Sequence, residues 1–360
     1  MILLSILVAF CVFGQQEARW KGKIEKPDGV KIIKNPNKPL YGEIEFELEE
    51  DISIGNKEDE NYTFSRVRGL AVDEEENIYA SDADKRRIQK FDRRGKYLQT
   101  IGKATLELPM KALLDKKTGF LYVLDGRDIK IFNKEGMHLS NIPIRPSDFF
   151  LSQDANIFVV AHSGPSVFLR KVNPQGQILM GLANFPFEQI VGAISEGMLP
   201  GDDRAGMEYD LLVTQIDIHT LIYGYSREYE LNIWDDHGKP ILKIRKEEPY
   251  REFAEVHKQS VIGDKLPPHL PFFHSLFTDG EGLIFVQKNF PTVFEDRKCD
   301  VFSRDGYFLY ETSIPRDIKL VDNGYLYTFE PGKIDNNYAR QIKRYRIKNW
   351  QLIKRGIQKD

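Results

Sequence analysis

The chain has 360 residues, of which 41% are hydrophobic, 12% aromatic and 29% charged, enough apolar material for one large core or two ordinary ones. Its formal net charge of −3, with both signs interspersed, excludes a protein built to coat nucleic acid, which needs a basic excess or a basic stripe.

Residues 1–14, MILLSILVAFCVFG, form an apolar run too short to span a bilayer with ordinary flanks. Val12 and Gly14 are small enough for the −3 and −1 positions of a cleavage site before Gln15, so this segment reads as a signal peptide and the protein as exported. A buried N-terminal strand is the bland alternative. A lipid anchor at Cys11 is disfavoured by the bulky Phe10 before it. After cleavage Cys299 would be the only cysteine, leaving no intramolecular disulfide. In DRKCDVF that residue alternates with charged neighbours and reads as a packed small side chain. Residues 15–40 read as an N-terminal extension, 41–348 as the folded domain and 349–360 as a C-terminal tail.

The domain is repetitive. Residues 66–102 read RVRGLAVDEEENIYASDADKRRIQKFDRRGKYLQTIG, and the same skeleton returns at 109–144 and 146–185. An apolar strand, a polar turn, a strand with an aromatic, a polar loop, a third strand ending in Asp or Asn, a Gly turn and a fourth strand follow in order. More divergent copies occupy 210–246, 273–314 and 317–348. The turns DRRGK, NKEGM, NPQGQ, DDHGK and SRDGY align, each supplying the positive-φ residue of a tight hairpin. Tyr79, Tyr122, Phe158, Ile222, Phe285 and Tyr327 fall at equivalent places, spaced 43, 36, 64, 63 and 42 residues apart. The two long gaps hold insertions at about 186–209 and 247–272. Six units of about forty residues, each with up to four short strands, predict an all-β, six-bladed β-propeller of four-stranded antiparallel blades. The sixth unit ends after its third strand, near Lys348. Residues 44–55, IEFELEEDISIG, resemble a fourth strand and are expected to close the ring from the N-terminus, which removes a free seam; NWQLIKRG (349–356) is the competing candidate.

The unit GLAVDEEENIYASDADKRRIQKFDRRGKYLQTIG resembles the NHL repeat through Val72, Asp73, Asn77, Ile78, Tyr79, Asp82, Arg87, Ile88, Gln89, Phe91, Asp92 and Gly95. The chain from 41 to 348 is similar to the exported bacterial six-bladed propellers of the NHL-like group. The resemblance implies the fold and leaves the function open, since that group includes binding modules and lyases.

In such a blade the tight turns share one face of the ring and the long loops the other. Both insertions fall on the loop-rich face, where binding is expected. From that face the loop after the second strand contributes Asp82, Arg127, His162, Arg227 and Lys288, and Arg66 and Arg68 enter the first blade from the same side. The set is net basic and suits an anionic or carbonyl-rich ligand; Asp82 and Arg87 could equally brace their own loop. No HExxH, GxSxG, P-loop or Rossmann signature is present. His257, His269 and His274, spaced 12 and 5 apart, lack a compact metal signature. The acidic PGDDRAG (200–206) lacks calcium-loop spacing. The basic run from Arg340 to Arg355 alternates with apolar residues and reads as a solvated strand. The sequence therefore points to a monomeric, non-catalytic binding module for a protein, peptide or glycan, with no cofactor, no metal, no membrane span and no nucleic acid. The alternative is a propeller-type hydrolase or lyase with a metal-dependent site at the channel mouth.

Overall fold

The computed structural model describes residues 20–55, 58–187, 209–253, 267–289, 298–315, 318–332 and 339–354. The proposed signal peptide, PGDDRAG, His257 and residues 188–208 and 254–266 of the two insertions lie outside the described residues.

Three N-terminal strands, β1 (Lys23–Glu25), β2 (Lys31–Asn35) and β3 (Leu48–Ile54), precede the blades. Blade one is β4 (Val67–Val72), β5 (Ile78–Asp82), β6 (Arg87–Phe91) and β7 (Tyr97–Ile101). Blade two is β8 (Pro109–Asp115), β9 (Phe120–Asp125), β10 (Asp128–Phe132) and β11 (His138–Ile142). Blade three is β12 (Asp148–Leu151), β13 (Ile157–Ser163), β14 (Ser166–Val172) and β15 (Ile178–Pro186). Blade four is β16 (Leu211–Asp217), β17 (Thr220–Tyr225), β18 (Glu230–Asp235) and β19 (Pro240–Lys246). Blade five is β20 (Phe273–Thr278), β21 (Leu283–Lys288), β22 (Lys298–Ser303) and β23 (Phe308–Ser313). Blade six is β24 (Ile318–Asp322), β25 (Tyr325–Gly332) and β26 (Ala339–Ile347), with β3 as its fourth strand. The chain is a six-bladed β-propeller closed by an N-terminal strand. Residues 349–354 do not compete for that slot, because Trp350–Lys354 forms a short helix, α1, whose Trp350 and Ile353 pack beneath blades five and six. No helix among the described residues is long and apolar enough to cross a membrane.

The turns explain why each unit folds as a meander. A carboxylate or amide at the end of a strand accepts the amides of the turn that follows. Asp73 Oδ1 takes Glu75 N and Asn77 N after β4, and Asp92 Oδ1 takes Arg94 N and Lys96 N after β6. Asp235 and Asn173 repeat the second device in blades four and three. The glycine in that turn serves two ends. Gly136 has φ 79°, and a Cβ there would come within 3.1 Å of Ile101 Cγ1 on the outermost strand of blade one. Gly176 has φ 78° and would meet Ile144 Cγ2, just beyond β11, at 3.0 Å. Each turn is thereby wedged against the preceding blade.

Apolar residues of facing sheets fill the six seams between blades. Tyr79, Ile88 and Ile101 meet Leu121, Val123 and Phe132 between blades one and two. Ile54, Ile78, Phe91, Tyr327, Phe329 and Ile342 close the seam between blades six and one. The six aromatic or aliphatic markers of the repeat, Tyr79 to Tyr327, are all buried in these seams.

The N-terminal segment does more than close the ring. It runs along the outer rim of three successive blades. β2 adds to β19 in parallel, Ile33 opposite Ile244, and β1 pairs antiparallel with β2, so this sheet has six strands. Residues 40–44 follow β23 in parallel: Leu40 N and Tyr41 N donate to Phe308 O and Leu309 O, and Ile44 N donates to Glu311 O, each at 2.9 Å. β3 then pairs antiparallel with β26. Asn35 plugs the seam between blades four and five. It donates to Gly306 O at 2.8 Å and accepts from Phe308 N at 2.9 Å and Trp20 Nε1 at 3.1 Å. The basic run expected to be solvated is partly neutralised by this segment, since Arg344 is buried and paired with Asp51 of β3 at 2.5 Å.

Candidate functional site on the loop-rich face

Strand order puts the starts of first and third strands and the ends of second and fourth strands at one end of every blade. All the residues singled out from the sequence lie at that end, but in different settings.

Asp82 is fully buried. Its carboxylate accepts Arg66 N at 3.0 Å and Ser65 N at 3.2 Å, holding the segment that enters blade one. Asp125 does the same in blade two, accepting Glu107 N and Leu108 N and pairing with Lys130 at 2.6 Å. A carboxylate ending the second strand thus caps the incoming chain, and the equivalent Ser226 receives Asp210 N in blade four. Arg66 pairs with Asp84 at 2.6 Å. Arg68 is exposed on the innermost strand as the extra residue of a bulge, between Val67 opposite Asp82 and Gly69 opposite Ser81. His274 and Lys319 occupy the same bulge in blades five and six. Such bulges re-aim a side chain, here at the channel's loop-rich end. Arg127 is exposed in the turn after β9.

Lys288 faces inward. Its ammonium pairs with Glu311 and lies 3.4 Å from Asp300 Oδ1 and 4.0 Å from Glu248. Lys246 Nζ lies 2.6 Å from both Glu248 and Asp300, and the buried Tyr229 hydroxyl donates to Asp300. Burial acts to lower the Lys288 pKa, but Asp300, Glu311 and Glu248 outweigh it and raise it. Burial first, then Asp300, pushes the Tyr229 hydroxyl well up. This charge knot ties β19 and Tyr229, just before β18, to β21, β22 and β23 between blades four and five. Cys299 sits behind it, its thiol pushed well up mainly by burial, so it stays protonated and inert.

His162 and Arg227 lie together with residues the sequence did not single out. His162 is exposed and its ring meets Phe187 edge-on, centroids 4.4 Å apart. Phe185 stacks on Tyr225 at 4.8 Å, Tyr209 packs against His269 at 5.4 Å, and Tyr250 against His269 at 4.4 Å. The Arg227 guanidinium lies over Tyr209, 5.5 Å from its centroid. Tyr250 is 72% exposed. The hydroxyls are anchored from below: Tyr209 donates to His269 O at 2.9 Å and Tyr225 to Pro186 O at 2.8 Å. Asp210 lies in the same patch, its carboxyl raised chiefly by burial, with Leu211 N and His162 opposing. The result is a shelf of aromatic rings across blades three, four and five, edged by the Arg227 guanidinium and the His162 ring. Tyr209 and Tyr225 are themselves buried and back the shelf, so it presents to solvent the exposed Tyr250 and His162 and the half-buried His269, Phe185 and Phe187, an aromatic-rich composition of the kind found at binding surfaces. The rings lie at the ends of second and fourth strands or within the insertions, and nothing in their spacing marked them; their signal was aromatic residues in segments that the ring itself does not need. Among the described residues no three His, Cys, Asp or Glu side chains form a group able to hold a metal ion.

The chain matches no known protein-family profile, and no curated protein matches it. Solved structures do resemble it. A candidate exported protein of Bacteroides fragilis NCTC 9343 superposes with TM-score 0.55 at 11% identity, covering 88% of this chain and 99% of that one. A member of the DUF4221 family from Bacteroides vulgatus gives 0.51 at 14% identity, covering 84% and 99%. A gluconolactonase of Xanthomonas campestris gives 0.45 at 14% identity, covering 79% and 87%. At these identities the likeness is one of fold: the protein is a six-bladed β-propeller, as the NHL-like resemblance implied.

Proposed function

We propose that the protein is an exported, monomeric, non-catalytic binding module of the NHL-like kind, taking a protein, peptide or glycan on its loop-rich face. The observation that carries this is the aromatic shelf in which Tyr250 and His269 reach the surface over the buried Tyr209 and Tyr225, with the exposed His162 and Arg227 at its edge. The hydroxyl bonds of Tyr209 and Tyr225 fix the base on which Tyr250 and His269 rest, which limits the freedom lost on binding, and Tyr and Arg dominate binding energy at interfaces. Arg66, Arg68 and Arg127 extend the proposed contact surface toward the channel and blade two. Asp82 and Lys288 support it from behind by holding the loops.

The test is a screen of the purified chain against glycan and peptide arrays, repeated with the Tyr250→Ala, Arg227→Ala double variant. Ligands that bind through this face should weaken at least tenfold in the variant. Hits indifferent to it would remove the reading. Stoichiometric calcium or zinc together with turnover of an ester or glycoside would favour the metal-dependent hydrolase or lyase instead.

A further inference from the structure

The outermost strand of every blade carries a bulge at one equivalent position, the residue skipped in pairing with the third strand. It is Leu98 in β7, Leu139 in β11, Leu179 in β15, Ile241 in β19 and Leu309 in β23, with Asp51 of β3 in blade six. In blades one to four this apolar knob is exposed to nearly the same degree, 47%, 47%, 52% and 48%. In blade five it is 1% exposed. The difference is residues 40–44, which lie along β23 and place Leu40, Tyr41 and Ile44 in the cluster that holds Leu309. The molecule therefore shows on itself what fits such a rim: an extended segment, parallel to the outermost strand, with apolar side chains over the bulge. β2 on β19 repeats the parallel pairing one blade earlier, but its register starts at Leu242 and leaves Ile241 uncovered.

The remaining edges differ in charge. β3, the outer edge of blade six, reads LEEDISI, and β1, the outer edge of blade four, reads KIE; charge of this kind protects an edge from pairing. β7 (YLQTI), β11 (HLSNI) and β15 (ILMGLANFP) contain no Asp, Glu, Lys or Arg, but β7 is preceded by the exposed Lys96 where β11 is preceded by Met137 and β15 by Gln177. Beside the bulges of β11 and β15, Met137 and Ile178 are 61% and 58% exposed. We propose that β11 and β15 are docking strips for an extended apolar segment of a partner protein, which pairs in parallel along them as residues 40–44 pair along β23. The bulge knobs Leu139 and Leu179, with Met137 and Ile178, lie at the tight-turn end of their strands, opposite the end where Phe185 of β15 joins the loop-rich face, so failure of this proposal would leave the proposed function untouched.

The probe is a synthetic peptide of residues 36–47, labelled and titrated into the full chain. At blade five the tethered copy holds its own site at high effective concentration, which directs the free peptide to the bare edges. Saturable binding is expected, weakened at least tenfold in the Leu139→Lys, Leu179→Lys double variant and in a peptide with Leu40, Tyr41 and Ile44 replaced by serine. Both leucines are half exposed, so the variant keeps its fold, which circular dichroism checks. Hydrogen exchange should slow in β11 and β15 when peptide is added. No saturation at about 1 mM peptide, or binding unchanged in the double variant, would overturn the proposal. So would concentration-dependent self-association abolished by the same substitutions, which would assign the strips to a second copy of this chain.

Discussion

Blades four to six and blades one to three are built from one repeat, yet their rims are finished differently. The first group is covered by residues 20–54, which bury Ile32, Ile33 and Ile54 and cap Leu309. The second group leaves its outermost strands open, with Leu98, Leu139 and Leu179 half exposed. One repeat pattern thus produces unequal surfaces, because a segment distant in the chain reaches one side of the ring and not the other. The covered side is where closure must be secured, since blade six draws its fourth strand from the N-terminus. Blades one to five are each built on four consecutive strands, so only blade six requires the N-terminus to complete it.

The contrast can be broken most forcefully at β2. Ile33 is fully buried between β19 and the turn of blade five, whose Gly306 would place a Cβ 3.2 Å from it. Ile33→Ala should cost about 3 kcal/mol, measured by urea unfolding. Leu139→Ala, on the open side, should change stability by less than about 0.5 kcal/mol. Equal costs would mean that the belt is not integral to the ring. Next in size is Asn35→Ala, which leaves Phe308 N and Gly306 O without their partner in a buried seam. A loss of about 2 kcal/mol is expected, with faster hydrogen exchange in β23 and none added in β11.

The smallest effect is one of pH. In Glu230 and Glu311 burial pushes the carboxyl up, but Arg245 and Lys243 in the first case, and Lys288 and Lys298 in the second, outweigh it and hold each below its ordinary 4.5. A depressed carboxylate contributes stability that is complete above its unfolded value and lost as pH falls through its folded value. The urea midpoint should therefore decline below about pH 4.5, and Glu311→Gln should flatten that decline. Glu311 also bonds residues 40–44 through its backbone, so acid should raise exchange in β23 before it does so in β7.

Much of the ring was legible beforehand for a physical reason. The Gly turns, the Asp and Asn ending strands, and the marker series from Tyr79 to Tyr327 are local solutions to turn and packing problems, repeated often enough to reveal the period. The loop-rich site was less legible. Asp82 and Lys288 are charged residues in loop-like contexts, and spacing cannot distinguish a carboxylate that faces solvent from one that accepts backbone amides inside a blade. Tyr250 and Tyr209 carried no periodic signal, because they lie in segments whose positions depend on neighbouring blades rather than on their own turns.

By itself the sequence determined the number of blades, their strand order and the face on which the long loops fall, because these follow from short-range hydrogen bonding and alternating burial. Only the tertiary structure decided which charges are buried in seams, where residues 20–44 run along the rim, and which edges stay open. Those outcomes depend on contacts between residues hundreds of positions apart, such as Asn35 with Phe308 and Asp51 with Arg344, and no local pattern encodes a distance closed by the ring.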